Sequence, residues 1–199
     1  MTLYLLRHAQ STANAKKAIA GLHDVSLTKK GIMQALNAGK VWKKKLDVVY
    51  VSPLKRARQT AKYFLHAAKQ NPIVVVDKRL REKAYGLMEG KTKSYLLKKY
   101  GDEKIREWRR GYKIRPPSTK NLPSESIYDV DKRIKKFYGE NLKGKKQNIL
   151  VVSHANPLRS LYGIIKKKKF LSIKHLDFEC AKVIDVKRTT LKERVAAND

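Results

Sequence analysis

Arginine and histidine stand side by side directly after the first apolar segment of the chain, as Arg7-His8. A histidine at the end of a buried strand is held on a rigid element, with its ring at the mouth of a sheet. A neutral imidazole attacks phosphorus once a neighbouring group fixes its tautomer, and the adjacent guanidinium can bind an anion through two hydrogen bonds. Taken alone, the pair is weak evidence, because a histidine that only ends a strand is the more frequent explanation for it.

The same arrangement recurs near the other end of the chain, where an apolar run at residues 149–152 precedes Ser153-His154-Ala155-Asn156. Because the carboxyl ends of parallel strands lie at one edge of a sheet, His8 and His154 are expected to face a single phosphate. The free N–H groups of the helix that follows would point at the same anion. A third apolar run, at residues 47–51, leads to Arg56. Three strand ends that carry histidine and arginine predict an anion site.

A carboxylate in basic surroundings, Glu82, is the candidate for moving protons. Phosphoryl transfer needs a proton donor for the leaving oxygen and an acceptor for the incoming one, and one carboxyl group can serve both steps. The alternative is a surface ion pair between Glu82 and either Arg79 or Lys83.

The elements that must position these residues alternate along the chain as short apolar runs and helical patterns, which is typical of an α/β fold. Runs rich in Leu, Ile and Val at residues 2–6, 47–51, 73–76 and 148–152 predict strands buried on both faces, and 181–186 predicts a weaker fifth. Helices are expected from the Ser26-Leu27-Thr28 cap to about Trp42, from Pro53 to about His66, over 126–142 and over 157–165. The expected fold is a three-layer α/β sandwich with a mainly parallel central sheet and helices on both faces.

Residues 87–125 break this rhythm, with two short helical stretches followed by Pro116-Pro117 and Pro123. We expect an insertion that covers the site, since such folds bind ligands at the ends of their strands. The chain has no internal repeat and no Gly/Ser linker. Residues 1–186 are therefore expected to form a single domain, followed by a charged C-terminal tail over 187–199.

The chain has 199 residues, with 47 Lys and Arg against 17 Asp and Glu and a formal net charge of +30. Such a charge suggests a polyanionic partner: nucleic acid, an acidic membrane or a phosphorylated substrate. A hydrophobic fraction of 42% excludes a disordered basic tail. The lysine runs at 43–45, 98–99, 143–146 and 166–169 are expected to be solvated turns and helix ends. Because no nucleic-acid motif accompanies them, we expect weak, non-specific nucleic-acid binding and no specific nucleic-acid partner.

The cysteine, histidine and apolar content of the sequence excludes several kinds of site and of protein. A single cysteine, Cys180, excludes an intramolecular disulfide and a cysteine-based zinc cluster. His23, His66 and His175 have no partner at metal-ligand spacing, so no metal is expected. No apolar run approaches the roughly 20 residues of a membrane span, and no signal-peptide pattern is present. We therefore expect no membrane partner and a cytoplasmic location.

Four segments together resemble the histidine phosphatase superfamily in order and spacing over about residues 2–186: Arg7-His8-Ala9, 52–60, 80–86 and 153–156. Residues 85–93, followed by Trp108-Arg109-Arg110-Gly111-Tyr112, are similar to its cofactor-dependent phosphoglycerate mutase branch. General phosphatases of the superfamily usually lack the arginine pair, here Arg109 and Arg110, and the lysine, here Lys93. The resemblance implies interconversion of 3- and 2-phosphoglycerate, in glycolysis and gluconeogenesis, through a phosphohistidine. It also implies priming by 2,3-bisphosphoglycerate, with no metal and with a small phosphorylated acid as the substrate.

The resemblance implies roles for individual residues as well. His8 would be the phosphorylated nucleophile and Glu82 the general acid and base. Arg7, Arg56 and His154 would surround the transferring phosphoryl group and stabilise its oxygens. Substrate oxygens and charges would be bound by ten further residues: Ser11, Asn14, Ala20, Gly21, Tyr85, Lys93, Arg109, Arg110, Ala155 and Asn156.

The chain departs from the family pattern at several of these positions. Ala9, Gln10 and Ala13 stand where the family usually has Gly, Glu and Trp. Lys83 replaces an arginine and keeps a charge that is expected to face the anionic substrate. Ala155 replaces a glycine, and it would be strained if that glycine supplies a positive φ.

Two other functions stay open, one because of these departures and one because of the net charge. Ala9, Ala13 and a loop after Pro117 that is shorter than in typical mutases motivate a phosphomonoesterase of the same superfamily, in which water accepts the phosphoryl group. The net charge alone motivates a non-enzymatic polyanion-binding module. A homo-oligomer is compatible with all three functions.

Overall fold

A five-stranded sheet forms the centre of the molecule in the computed structural model, which describes residues 2–188. The strands are β1 (Thr2–Arg7), β2 (Val48–Val51), β3 (Ile73–Val76), β4 (Asn148–Ser153) and β5 (Val183–Asp185). Their order in space is β3-β2-β4-β1-β5. The first four are parallel and β5 pairs antiparallel with β1, so the sheet is mixed and mainly parallel. The part of the predicted tail beyond residue 188 lies outside the described residues.

Helices precede and follow these strands along the chain. The described part contains α1 (Thr12–Ala15), α2 (Lys29–Lys40), α3 (Lys55–Ala67), α4 (Lys93–Tyr100), α5 (Asp102–Arg110), α6 (Ile127–Asn141) and α7 (Ala155–Ile165). Short 3₁₀ turns lie at Lys78–Leu80, Gly86–Met88 and Phe170–Ser172. No helix in residues 2–188 is long and apolar enough to cross a membrane.

Alternate residues of β1 face two different cores. Leu3 and Leu5 pack in one apolar cluster with side chains of α6 and α7. Tyr4 and Leu6 pack in a second cluster with side chains of α3. Since successive strand residues point to opposite faces, the sheet lies between two layers of helices. The predicted three-layer α/β sandwich is confirmed.

The expectation that all four predicted strands are buried on both faces is wrong for β3. Ile73, Val74, Val75 and Val76 are 66%, 49%, 36% and 55% exposed. β3 lies at the outer edge of the sheet, where it pairs with β2 on one side only. An apolar run predicts a strand, but its place in the sheet order decides whether the strand is buried.

Side-chain caps set the starts of two long helices. Thr28 accepts a hydrogen bond from the backbone N–H of Gly31, so α2 begins at Lys29 as the cap predicts. Ser126 and Asp129 form a reciprocal capping box at the start of α6. Both helices therefore begin where the sequence signals place them.

Two other helices begin at residues that the sequence did not indicate. α3 starts at Lys55 rather than Pro53, because Leu54 is still extended. α7 starts at Ala155, two residues before Pro157, with His154 as its extended N-cap. Ala155 is not among the residues with positive φ, so the strain considered for it does not arise. The short helix α1 was not predicted.

The inserted segment packs around a small core of its own. Met88, Leu96 and Ile105 are buried together, with Tyr85 and Trp108 partly buried against them. The two predicted helical stretches are present as α4 and α5. This core fixes the carboxyl end of α5, which carries Arg109 and Arg110, next to the end of the sheet.

The lysine runs lie on the outside of the molecule, as expected. Residues 43–45, 98–99, 143, 145–146 and 167–169 are exposed at helix ends and turns, and Lys166 is half-buried. Most of the excess positive charge is therefore solvated surface.

Two glycines provide a paired test of helix packing. A Cβ on Gly31 of α2 would lie 2.1 Å from the backbone oxygen of Gln10, whereas one on the exposed Gly139 of α6 would meet nothing within 4 Å. We expect Gly31→Ala to lower the free energy of unfolding by about 1–3 kcal/mol through overpacking. Gly139→Ala should raise it by about 0.5–1 kcal/mol, because alanine loses less entropy in a helix. Urea unfolding monitored by circular dichroism measures both, and shifts of the same sign would contradict the packing argument.

Candidate active site

The site lies at the carboxyl edge of the parallel strands. Arg7 at the end of β1 is in register with Ser153 at the end of β4. The next residues, His8 and His154, are therefore neighbours, with ring centroids 5.0 Å apart. The backbone N–H of His8 donates to the carbonyl of Ser153, 2.9 Å away, which fixes the two strand ends together.

Hydrogen bonding determines which nitrogen of His8 is free. Its Nδ1 lies 2.8 Å from the carbonyl oxygen of Ala9, which can only accept, so Nδ1 carries the proton. The Nε2 lone pair is then free to attack. Burial, and after it the charges of Arg56 and Arg7, lower the pKa of His8 well below its ordinary value. The imidazole is therefore neutral and nucleophilic at pH 7.

His154 is fully buried beside it. Its Nε2 lies 2.7 Å from the hydroxyl of Ser52. Its Nδ1 is buried and has no hydrogen-bond partner among the described residues. Burial first, and then the charge of Arg56, lower the pKa of His154 well below the usual histidine value, so this ring is also neutral.

Two guanidinium groups are fixed beside the histidines by backbone carbonyls. Arg56, which is 1% exposed, donates to the carbonyls of Gly21 and His23 at 2.8 Å each. Arg7 donates to the carbonyl of Phe178 at 2.8 Å. In both side chains Nε is buried and without a partner among residues 2–188. Groups held this way keep donors and charge available for an anion without needing to reorganise.

Glu82 belongs to a small polar network. Its Oε1 accepts hydrogen bonds from the backbone N–H of Lys83 at 2.8 Å and from Nδ2 of Asn156 at 3.2 Å. The same Nδ2 lies 2.9 Å from the hydroxyl of Tyr85, and Arg159 donates to Oδ1 of Asn156 at 3.3 Å. The carboxyl group is thus held through one oxygen, while Oε2 takes no part in these contacts.

A cavity of about 200 Å³ opens at this edge and is strongly cationic. Six arginine and lysine side chains line it against two carboxylates. The lining residues are Arg7, His8, Asn14, Ala18, Ile19, Ala20, Gly21, Arg56, Glu82, Tyr85, Arg109, Arg110, Ile127, Ala155, Asn156, Arg159, Phe170, Lys174, His175 and Asp177.

Most of the substrate-binding residues expected from the sequence lie in this lining. Ser11 and Lys93 do not. Ser11 is fully buried, and its hydroxyl caps α1 by accepting from the backbone N–H of Asn14 at 3.3 Å. The same hydroxyl donates to Oδ1 of Asn14 at 2.8 Å. Lys93 is the first residue of α4. Substrate binding by all ten residues stays a prediction.

The expectation that Lys83 faces the anionic substrate is wrong. The side chain is fully buried, and its Nζ donates to the carbonyl of Trp108 at 2.5 Å. The ammonium also lies 4.9 Å from the centroid of the Tyr85 ring. Burial lowers the pKa of Lys83 to about 8. Lys83 therefore joins the carboxyl end of α5 to the loop that carries Glu82.

Sequence reasoning missed four polar residues of the cavity: Arg159, Lys174, His175 and Asp177. Arg159 lies three residues after Asn156 on α7, so helical spacing places both on one face and could have identified it. Residues 174–177 come from the segment between α7 and β5 and carry no local signal. Only the fold brings them to the cavity.

The two neutral histidines predict how stability depends on pH. In the unfolded chain they take up protons below about pH 6.5, whereas in the native protein they do so only at lower pH. Above pH 6.5 the two rings therefore leave the free energy of unfolding independent of pH. Below pH 6.5 that free energy falls with the pH, by up to about 1.4 kcal/mol per pH unit for each ring. Urea unfolding between pH 5 and 7.5 should show a shallower slope for His8→Asn than for the unsubstituted protein. Equal slopes would contradict the neutral assignment.

No group of three or more His, Cys, Asp or Glu side chains able to hold a metal ion is found within residues 2–188. The chemistry available from the cavity's own side chains is attack by a neutral imidazole on a phosphoryl group held by fixed cations, with a carboxyl group at hand for protons.

Comparison with known families decides the class. The model of the histidine phosphatase superfamily (branch 1) matches residues 3–197. The chain belongs to this superfamily. As a member of this superfamily the protein is an enzyme, as the resemblance of its motifs implies.

Curated relatives of the chain are named 2,3-bisphosphoglycerate-dependent phosphoglycerate mutase. The Bartonella bacilliformis protein is 35% identical over 172 residues, which cover 83% of this chain and 81% of the relative. The Buchnera aphidicola (subsp. Schizaphis graminum) protein is 34% identical, and the match covers 86% of this chain and 87% of the relative.

Similar solved structures carry phosphatase names. The α-ribazole phosphatase of Shigella flexneri superposes with a TM-score of 0.78 at 26% identity, and the match covers 98% of this chain and 95% of that one. A mycobacterial glucosyl-3-phosphoglycerate phosphatase gives a TM-score of 0.77 at 25% identity, covering 92% and 90%. The sequence and the fold thus relate this enzyme to mutases and to phosphatases of one superfamily.

Proposed function

We propose that this enzyme is a phosphoglycerate mutase, which interconverts 3- and 2-phosphoglycerate through a phosphohistidine on His8. The observation that carries the proposal is a second pair of cations, Arg109 and Arg110, in the same cavity as His8 and Arg56. A mutase must keep a doubly phosphorylated acid bound while the acid reorients, so it needs two anion subsites where a phosphatase needs one. Relatives that share about 35% identity and carry the mutase name support it.

In the first half-reaction, Nε2 of His8 forms a bond to phosphorus as the bond from phosphorus to the ester oxygen breaks; in a mutase the ester is the doubly phosphorylated acid, which keeps its other phosphate. Arg7, Arg56 and His154 stabilise the charge on the phosphoryl oxygens during transfer. The carboxyl group of Glu82 gives its proton to the leaving oxygen. The neutral state of His8 is required here, since a protonated ring has no lone pair.

In the second half-reaction, a hydroxyl oxygen of the bound acid attacks the phosphorus of phospho-His8, and the N–P bond breaks. The Glu82 carboxylate accepts the proton of that hydroxyl, and His8 returns to its neutral form. Arg109 and Arg110 hold the carboxylate and the phosphate that does not react, through charge-assisted hydrogen bonds.

The residues present fit a bisphosphorylated priming ligand. Six cations line the cavity, and buried donors on Arg7 and Arg56 have no partner among the described residues. When bound, 2,3-bisphosphoglycerate supplies the phosphoryl group that first loads His8. The cations of the cavity would hold its two phosphates and its carboxylate.

A phosphomonoesterase is the second candidate, favoured by the phosphatase names of the similar structures. The first half-reaction is then unchanged, but Glu82 removes a proton from water, whose oxygen attacks phospho-His8 and releases inorganic phosphate. The two functions differ only in the acceptor.

The experiment that tests the function follows both acceptors at once. The enzyme is incubated with 3-phosphoglycerate, with and without catalytic 2,3-bisphosphoglycerate, while ³¹P NMR follows 2-phosphoglycerate and phosphate together. We expect 2-phosphoglycerate to form, 2,3-bisphosphoglycerate to accelerate it, and phosphate to appear much more slowly. Release of one phosphate for each ester consumed, with no 2-phosphoglycerate, would instead identify a phosphomonoesterase.

The arginine pair gives a prediction specific to the mutase. Replacing Arg109 and Arg110 together by Ala should raise the KM for phosphoglycerate about 10²-fold, because two charge-assisted hydrogen bonds are lost. Hydrolysis of p-nitrophenyl phosphate, which has one phosphate and no carboxylate, should change little. The charge-matched control replaces Lys104 and Arg106, which are exposed on the same helix, and should change neither activity. Equal loss for both substrates would contradict a second subsite.

A further inference from the structure

Ser52 lies directly after β2, fully buried and beside His154. Its backbone N–H donates to the carbonyl of Val152 at 3.0 Å, which fixes the residue to β4. Its hydroxyl oxygen accepts a hydrogen bond from the backbone N–H of Leu54 at 3.3 Å and lies 2.7 Å from Nε2 of His154.

The donors and acceptors around this hydroxyl define where its proton goes. The N–H of Leu54 can only donate, so it cannot take the Ser52 proton. Among the described residues the other contact of the hydroxyl is Nε2 of His154, which must then be the acceptor. A ring whose Nε2 accepts is a neutral imidazole with its proton on Nδ1. The reverse arrangement would leave the buried serine proton with no acceptor, which costs free energy.

Nδ1 of His154 is the atom that this arrangement leaves as a donor. It is buried and without a hydrogen-bond partner among residues 2–188, in a ring whose centroid is 5.0 Å from that of His8. Native proteins rarely leave a buried N–H unused, so such a donor at a reacting centre indicates a ligand atom.

We propose that Ser52 is a positioning residue that fixes His154 in the Nδ1–H tautomer, so that the neutral ring donates a hydrogen bond to the phosphoryl group at His8. The opposite tautomer would direct a lone pair at phosphoryl oxygens that carry negative charge. The proposal rests on phosphoryl transfer at His8, whether the acceptor is a substrate hydroxyl or water.

The two histidines thereby acquire different roles from different partners. The Ala9 carbonyl holds the proton of His8 on Nδ1 and frees Nε2 as a nucleophile. The Ser52 hydroxyl makes Nε2 of His154 the acceptor and frees Nδ1–H as a donor. Two neutral rings, side by side, present one lone pair and one N–H to the same phosphoryl group.

The test reads the tautomer of His154 directly in the resting enzyme. Long-range ¹H–¹⁵N NMR of ¹⁵N-histidine-labelled protein at pH 7.5, assigned with His154→Gln, should show a protonated Nδ1 and an unprotonated Nε2. In Ser52→Ala this pattern should be lost to a mixture of tautomers, or reversed. Ser52→Thr, which keeps the hydroxyl, should preserve the pattern.

The control is Ser153→Ala, which removes another fully buried hydroxyl at the same sheet edge. That hydroxyl donates to the Leu80 carbonyl at 2.6 Å and touches no ring nitrogen. It should lower the urea concentration at the unfolding midpoint, because a buried carbonyl loses its donor, and leave the His154 tautomer unchanged. A loss of the pattern in both variants would indicate a general packing effect and would contradict the proposal.

A second readout is the affinity for orthovanadate, which resembles the transferring phosphoryl group. Ser52→Ala should weaken vanadate binding by about 10-fold, the effect of one lost hydrogen bond to an anion. A protonated Nε2 in the unsubstituted enzyme, or an unchanged tautomer and vanadate affinity in Ser52→Ala, would overturn the proposal. Since both measurements are made without phosphoglycerate, they stand even if the mutase reaction is not observed.

Discussion

His8→Asn should lower the rate of phosphoryl transfer by at least about 10⁴-fold, the scale seen when a nucleophile is removed. Asparagine keeps a polar amide in the buried position, but it has no nitrogen lone pair able to attack phosphorus. No other described nitrogen at the strand ends is both neutral and unprotonated toward the cavity: Nε2 of His154 accepts from Ser52. Substrate binding should survive, because Arg7, Arg56, Arg109 and Arg110 remain.

Two measurements check this prediction. The unsubstituted enzyme should take up acid-labile, base-stable phosphate from ³²P-labelled 2,3-bisphosphoglycerate, and His8→Asn should take up none. His66→Asn, at an exposed position near the end of α3, is the control and should label normally. Isomerisation retained by His8→Asn would disprove the phosphohistidine route.

Glu82→Gln should lower the rate on phosphoglycerate by about 10²–10⁴-fold, which is the usual contribution of a general acid and base. Glutamine has nearly the same shape, and its oxygen can still accept from the N–H of Lys83 and from Asn156. What it lacks is a proton to give to the leaving alkoxide and a lone pair basic enough to take one back.

The leaving group separates this role from simple positioning. With p-nitrophenyl phosphate, whose leaving group needs no proton, loading of His8 should remain fast while its dephosphorylation is slow. A stopped-flow burst of p-nitrophenol, equal to one turnover, should therefore appear in Glu82→Gln. Glu103→Gln, exposed at the start of α5, is the matched control. A rate that falls equally for both esters, without a burst, would assign Glu82 a structural role.

The fold could be predicted well from local patterns. Apolar runs and caps identified the five strands and the long helices. This is possible because the burial patterns of strands (every 2 residues) and helices (every 3.6 residues), and the capping hydrogen bonds, involve residues close together in the sequence. The same pattern gave a wrong expectation for the burial of β3, because its four apolar residues are of the types found in a central strand. Strand order is a property of the whole sheet, and no segment of the chain contains it.

The positions of some site residues could likewise be predicted from the sequence, whereas others could not. His8, Arg56 and His154 could be placed together because each follows a strand, and parallel strands end at one edge. Lys83 could not be placed, since its direction depends on the backbone carbonyl of Trp108 in α5, 25 residues away. The sequence indicated a charge, whereas packing decided that the charge is buried.

By itself, the sequence determined the superfamily, the three-layer architecture and the histidine, arginine and glutamate residues that lie at the sheet edge. These follow from residue types at strand ends, where backbone topology leaves little choice of position. Only the tertiary structure decided which nitrogen of each histidine is free, that Lys174, His175 and Asp177 reach the cavity, and that Ser52 touches His154. The free nitrogen of His8 follows from the backbone conformation that brings the adjacent Ala9 carbonyl to its ring. The free nitrogen of His154 follows from Ser52, which is 102 residues away and reaches the ring only once the sheet has assembled.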